Sequence, residues 1–257
     1  MAEPMHDIAK IMGVDEETVA VLPKIQYVGN MLNPWGDALL NVLRTLRITP
    51  GQTVLDMPCG QGGVAVRLAK ECGAAVVGFD LLPGFVDCAK AYAAAQKVEH
   101  LCCFSAADIR DVTASGGAYD ALLWVAPPHI WGDYAQTVEN LRRCVKNTGH
   151  IVIADAYVYT DAPKDVLPGY ETLAETLHAV TAHGDTIAAF MDCKGSLWAD
   201  SYRMDRNAVA QAIDRAADSR ERITLEKYAA GLDEAEAFDT QYLGLYILVL
   251  QIEKVKA

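Results

Sequence analysis

Between residues 53 and 156, short apolar β-branched runs alternate with stretches whose apolar positions recur every three or four residues. That alternation is the mark of strand–helix–strand units on a parallel sheet. It predicts strands at 53–56, 75–80, 101–105, 119–125 and 150–155. Helices are predicted between them at 64–72, where Val64, Leu68 and Ala69 share a face, at 85–96 and at 134–145.

The pattern changes after residue 157. Two further apolar runs, 222–228 and 242–252, are separated by a link too short for a crossover helix, which predicts an antiparallel pair. Residues 158–220 read as a helical cap before these last two strands, with helices at 170–183 and 206–217 and turns around Pro163, Pro168 and Gly195. Residues 1–50 are mainly helical with a break at 33–36, and are expected to form an N-terminal lid segment over a domain at 51–257. The fold class expected is α/β: a doubly wound, mostly parallel seven-stranded sheet with an antiparallel last strand, plus helical lid elements.

Composition narrows the partners. With 52% hydrophobic and 22% charged residues, the 257-residue chain has enough apolar surface to fold throughout. A net charge of −12 and a pI near 4.9 oppose binding to a phosphate backbone, so nucleic acid is not expected as a partner. No basic run suggests a membrane surface, and the most apolar stretch, 242–252, is far shorter than the roughly 20 residues of a spanning helix. The N-terminus lacks the basic-then-apolar pattern of a secretory signal. The seven cysteines are scattered with no C-x-x-C pair, as in a cytoplasmic protein with reduced thiols.

The chemistry concentrates in Val54-Leu-Asp-Met-Pro-Cys-Gly-Gln-Gly-Gly63, a strand running into a glycine-rich turn and a helix. Such a turn lets the backbone approach a ligand closely, and the helix start offers free N–H groups. Gly60, Gly62 and Ala65 also satisfy G-x-G-x-x-A, so an NAD(P)-dependent oxidoreductase is a competing reading. Three carboxylates argue instead for S-adenosylmethionine (SAM). Asp56, four residues before Gly60, can reach a cationic amino group; Asp80, twenty residues after it, ends the second strand where it can accept from both ribose hydroxyls; Asp108 follows the third strand, where it can accept from an adenine amino group, with Ile109 against the ring. Each could equally cap a helix or close a turn. Cys59 reads as packing beneath the cofactor, with no basic neighbour in sequence to activate it.

Asp-x-x-Cys-Gly-x-Gly, then Asp80, Ala107-Asp108 and Tyr119-Asp120, in this order over about residues 50–157, resembles the class I SAM-dependent methyltransferases. Pro58 departs from the family's more frequent glycine. The resemblance implies SAM as cofactor and S-adenosylhomocysteine as product, Leu81 and Val125 beside the cofactor, no metal, and tail strands matching the family's last two. It also implies a small-molecule methyl acceptor, and leaves a homodimer and a non-catalytic SAM-binding protein open.

In open α/β sheets, ligands sit beyond the carboxyl ends of the strands. This singles out His129 after the fourth strand and Asp155 at the end of the fifth. His129 reads as a general base or a substrate-orienting residue; Asp155 reads as base, metal ligand or strand-end acceptor. Tyr27, Trp35 and Trp198 are candidate aromatic walls for the acceptor, with lid packing as the alternative.

Overall fold

The structure, a computed structural model, describes residues 6, 8–10, 14–25, 27, 29, 34–163 and 170–254. In chain order, the described elements begin with α1 (Glu16–Val21), a 3-10 turn (Leu22–Lys24) and α2 (Gly36–Thr45). The central run is β1 (Thr53–Asp56), α3 (Gly63–Cys72), β2 (Ala75–Asp80), α4 (Pro83–Ala95), β3 (Cys102–Ala106), α5 (Ile109–Ser115), β4 (Tyr119–Val125) and α6 (Tyr134–Leu141). It continues through a 3-10 turn (Arg142–Cys144) to β5 (Val145–Val158), α7 (Leu173–Val180), β6 (Thr186–Lys194), α8 (Trp198–Asp214), α9 (Ser219–Tyr242) and β7 (Leu243–Gln251).

The seven strands form one sheet in the order β3-β2-β1-β4-β5-β7-β6. β1 to β5 pair in parallel, while β7 runs antiparallel between β5 and β6. This is the expected fold class. Every residue of β7 except its last is buried, because both of its edges are paired and both of its faces covered. On one face Val54, Val76, Leu123, Val152 and Ile247 pack against α2, α3 and α4 through Leu39, Leu43, Leu68 and Ala89. On the other, Leu55, Leu122, Ile151 and Leu248 pack against Tyr134, Val138, Leu141 and Val180.

The tail departs from the sequence reading. Residues 222–228 are not a strand but lie inside α9, and the partner of β7 is β6, in the stretch expected to be a helical cap. Asp218 caps α9 by accepting from the Glu221 amide at 2.9 Å. Leu225 and Leu232 then bury at helical spacing while Ile223 is 63% exposed, so the apparent alternation of 222–228 has no buried strand face behind it. β6 escaped notice because it is an edge strand. Register shifts at Ile187/Ala189 and Asp192/Lys194 break its period, and Phe190 and Met191 are exposed. The predicted turn at Pro168 and part of the break at 33–36 lie outside the described residues.

A third cluster joins the ends of the chain. Val21, Leu22 and Ile25 pack against Val209, Ala212, Leu225 and Leu232, so the N-terminal segment rests on the α8/α9 pair.

Gly62 shows how tightly the glycine turn is set. Its φ is +77°, and a Cβ there would stand 2.8 Å from the Ala89 Cβ of α4 and 3.2 Å from the Phe104 ring of β3. The glycine is required by protein packing as well as by any ligand. Gly62→Val is expected to cost about 2–5 kcal/mol, combining overpacking with left-handed strain. That corresponds to a fall in melting temperature of roughly 5–15 °C. A variant melting within a degree of wild type by calorimetry would show that α3 and α4 can part to make room.

Candidate active site

β1 and β2 lie side by side in register, with Asp56 opposite Gly78, and bring two carboxylates to the carboxyl edge of the sheet. Asp56 is 3% exposed, and among the described residues no hydrogen bond reaches its carboxylate. Burial, and then the neighbouring Asp80, push its carboxyl up to about 8. Asp80, 6% exposed, accepts the Gly60 amide at 2.9 Å through Oδ2 and the Leu82 amide at 2.9 Å through Oδ1. Burial raises it to about 6, and those amides hold it below what burial alone would give. The pair therefore brackets the glycine turn with two buried carboxyl groups whose ionisation burial opposes. Leu81 follows at the strand end and is half-buried.

The turn is shaped by positive φ at Gly60 (+50°) and Gly62 (+77°). Cys59 lies under it, 6% exposed, its amide donating to the Phe79 carbonyl at 2.9 Å. Burial and the two aspartates raise its thiol far above the ordinary range, which suits packing rather than nucleophilic chemistry. Gln61, between the two glycines, is 1% exposed and donates to the Ile25 carbonyl at 2.9 Å. It ties the turn to the N-terminal segment. Sequence reasoning passed over it because a glutamine between two glycines carries no chemical signal by itself.

At the next strand end, Asp108 is the N-cap of α5, accepting the Arg110 amide at 2.8 Å and pairing with its guanidinium at 2.6 Å. These contacts hold its carboxyl below the usual range. Its first role is thus the cap that the sequence left open, and an adenine amino group would share oxygens already in use. Ile109 and Val125 are both 7% exposed, at the start of α5 and the end of β4.

A second group forms after β4. Ala126 takes φ +47°, and its amide donates to the Ala154 carbonyl at 2.9 Å; Trp131 stacks on Trp124 at 5.3 Å, so the intervening loop is fixed at both ends. This brings His129 Nε2 within 3.2 Å of Asp155 Oδ2. Asp155, 3% exposed, also accepts from the Tyr134 hydroxyl and, at 2.8 Å, from the Ala156 amide. The Tyr170 ring lies tilted 4.5 Å from the imidazole. Tyr134 and Tyr170 carried no motif in the sequence, since only the packing of α6 and of the segment before α7 brings them here. Among the described residues no hydrogen bond or ion pair joins this group to Asp56 or Asp80.

Of the three candidate wall aromatics, Tyr27 and Trp198 both pack on the cluster formed with α8 and α9, and Trp198 also packs on the cluster that contains Trp35. Tyr27 is half-buried and hydrogen-bonded to Tyr228 and Asp205. Trp35 is 3% exposed within the core beneath α2, its Nε1 without a partner among the described residues. Trp198 begins α8, donates Nε1 to the Leu243 carbonyl at 3.1 Å and lies 6.1 Å from the Tyr202 ring. Among the described residues no group of three or more His, Cys, Asp or Glu could hold a metal, and no helix is long and apolar enough to cross a membrane.

The fold is shared with known proteins. Residues 54–149 match the family described as a methyltransferase domain. Over that stretch the chain is similar to methyltransferase domains. Its sheet superposes on that of a SAM-dependent methyltransferase from Geobacter sulfurreducens in complex with S-adenosylhomocysteine, with a TM-score of 0.76 at 20% identity, covering 87% of this chain and 94% of that one. A similar enzyme from Thiobacillus denitrificans gives a TM-score of 0.74 at 20% identity over the same shares. In sequence, the chain is 28% identical over 147 residues to a 2-phytyl-1,4-naphtoquinone methyltransferase of Trichormus variabilis, covering 54% of this chain and 64% of that protein. It is 33% identical over 100 residues to the chloroplastic tocopherol O-methyltransferase of Arabidopsis thaliana, 39% of this chain and 29% of that one. The chain spans less than two thirds of the length of these two relatives.

Proposed function

We propose that this protein is a SAM-dependent methyltransferase acting on a small-molecule acceptor. The observation that carries the reading is the pair of buried carboxylates, Asp56 and Asp80, bracketing a glycine turn at the carboxyl ends of β1 and β2. Asp56 would take the cationic amino group of SAM, Asp80 the ribose hydroxyls, and Asp108, Ile109, Leu81 and Val125 the adenine end and the strand edge. SAM supplies the methyl as an activated sulfonium substituent, so the protein's own work is alignment, exclusion of water and removal of a proton. His129, oriented by Asp155 and backed by Tyr134, is the base of this proposal.

The antiparallel β7 between β5 and β6 separates this sheet from the dinucleotide-binding fold, whose strand order 3-2-1-4-5-6 is parallel throughout. That favours SAM over NAD(P). The segment below residue 50, docked on α8 and α9 and anchored through Gln61, serves as the lid. The seven unpaired thiols fit a cytoplasmic protein.

The direct test is a thermal-shift panel of SAM, S-adenosylhomocysteine, NAD and NADP. A ligand that binds the native state raises its stability by mass action, so the first two should raise the melting temperature and the last two should not. Stabilisation by a dinucleotide alone would overturn the proposal.

A pH signature follows from Asp56. Its carboxyl sits near 8 in the folded protein against the usual carboxylate range near 4 in the unfolded chain. Between those values the folded state holds a proton that the unfolded state releases. This contribution to stability is therefore full at low pH and is lost as pH rises through about 8. A bound cation favours the ionised carboxylate, so SAM binding near pH 7 should expel a proton. Calorimetric titrations in phosphate and in Tris should then give enthalpies that differ with the buffers' ionisation enthalpies. Equal enthalpies would show Asp56 already ionised.

A further inference from the structure

We propose that the acceptor is a cationic amine, held between the tyrosines and carboxylates where α8 and α9 meet the His129 loop. The inference rests on the methyltransferase reading and names the substrate class of that same site.

Two carboxylates, Asp205 of α8 and Asp239 of α9, face a set of tyrosine rings. The Tyr202 hydroxyl donates to Asp239 Oδ2 at 2.6 Å, and Tyr27 bonds to Asp205 and Tyr228. Burial is the main cause that raises both carboxyls, Asp205 to about 6. Tyr170 links this set to the proposed base: its ring lies 4.5 Å from His129, and its hydroxyl feels both Asp155 and Asp239. Tyr170 thus stands between the His129–Asp155 pair and the carboxylate of α9.

Among the described residues, Arg206 offsets the charge of Asp205 only in part. Arg206 stands 6.0 Å from the Tyr202 ring centre, but its guanidinium is paired with Asp233 at 2.6 Å and with Glu236.

Independent atoms point the same way. Glu171 Oε2 is buried with no hydrogen-bond partner, and its carboxyl lies close enough to His129 to feel the imidazole. The Tyr246 hydroxyl, on a wholly buried side chain, lies near Asp155, Glu171 and Tyr170 and has Tyr134 as its neighbouring hydroxyl. A phosphate or carboxylate ligand would meet repulsion here. An ammonium group would meet ring faces that attract cations and carboxylates that accept charge-assisted hydrogen bonds.

The chemistry closes. The ammonium gives one proton to His129, and the freed nitrogen lone pair forms the new N–CH3 bond. The S–CH3 bond breaks with its electron pair staying on sulfur, which leaves neutral S-adenosylhomocysteine and a methylated amine.

The test titrates the full chain by calorimetry, with and without saturating S-adenosylhomocysteine. Two cations, choline and phenethylammonium, are compared with their neutral isosteres, 3,3-dimethylbutan-1-ol and 2-phenylethanol. At least one cation should bind tenfold or more tighter than its isostere. Asp239→Asn, which keeps a partner for Tyr202, and Asp205→Asn should each remove most of that preference while leaving affinity for S-adenosylhomocysteine unchanged. Equal binding of cations and isosteres, no cation binding, or a preference that survives both variants would overturn the proposal. Failure of S-adenosylhomocysteine to bind at all would overturn the methyltransferase reading instead, and the unliganded titrations would still decide whether this surface takes a cation.

Discussion

Asp80→Ala is expected to weaken SAM binding well over tenfold while the protein stays folded. Two losses combine. The carboxylate that would accept from both ribose hydroxyls disappears, and charge-assisted bonds of that kind are about twice as strong as neutral ones. The Gly60 and Leu82 amides, each 2.9 Å from an Asp80 oxygen, also lose their acceptor, so the turn itself is released. Asp80→Asn separates the two effects, since an amide oxygen can still accept from one of those amides but its NH2 must face the other. It should bind SAM more tightly than the alanine variant and less tightly than wild type. Calorimetric titration of all three, with circular dichroism to establish folding, checks the series, and unchanged affinity in Asp80→Ala would remove this residue from the site.

The parallel strands are legible in the sequence, including β3, whose predicted bounds differ by one residue although most of it is exposed. β1, β2 and β4 show at their observed bounds because each is a short apolar run between turn residues. β6 does not, because its outward positions include Phe190 and Met191 and its register slips twice. The stretch 222–228 misled in the opposite sense. Ile, Leu and Tyr at every other or third position satisfy a strand by composition, while the Asp218 cap and the burial of Leu225 with Leu232 select the helix.

The candidate site divides in the same way. Asp56, Asp80 and Asp108 were visible because strand-to-turn junctions have short-range sequence signals. The partners of His129 were only half visible. Asp155 lay at a predicted strand end, but Tyr134, Tyr170 and Glu171 reach it from helix α6 and from the segment before α7. The carboxylates of α8 and α9 could not be paired by inspection at all, because α9 had been read partly as a strand.

His129→Ala is expected to lower the methyl-transfer rate by about 10² or more with SAM affinity nearly intact, the usual contribution of a positioned base. Affinity should survive because the imidazole contacts Asp155 and Tyr170, and among the described residues no hydrogen bond or ion pair ties it to Asp56 or Asp80. Asp155→Asn tests the orientation of the ring. It keeps the shape but removes the charge that faces Nε2 at 3.2 Å, so the rate should fall with little change in acceptor KM. An imidazole accepts a proton only when neutral, so the wild-type rate should decline on the acid side and the alanine variant should lose that limb. A cationic acceptor adds its own acid limb, which belongs to the substrate and persists in the variant; the part of the profile that vanishes with His129 is the part the base supplies. Single-turnover rates across pH 5 to 9 for wild type, His129→Ala and Asp155→Asn separate these contributions. Superimposable profiles would assign His129 to acceptor positioning rather than to proton removal.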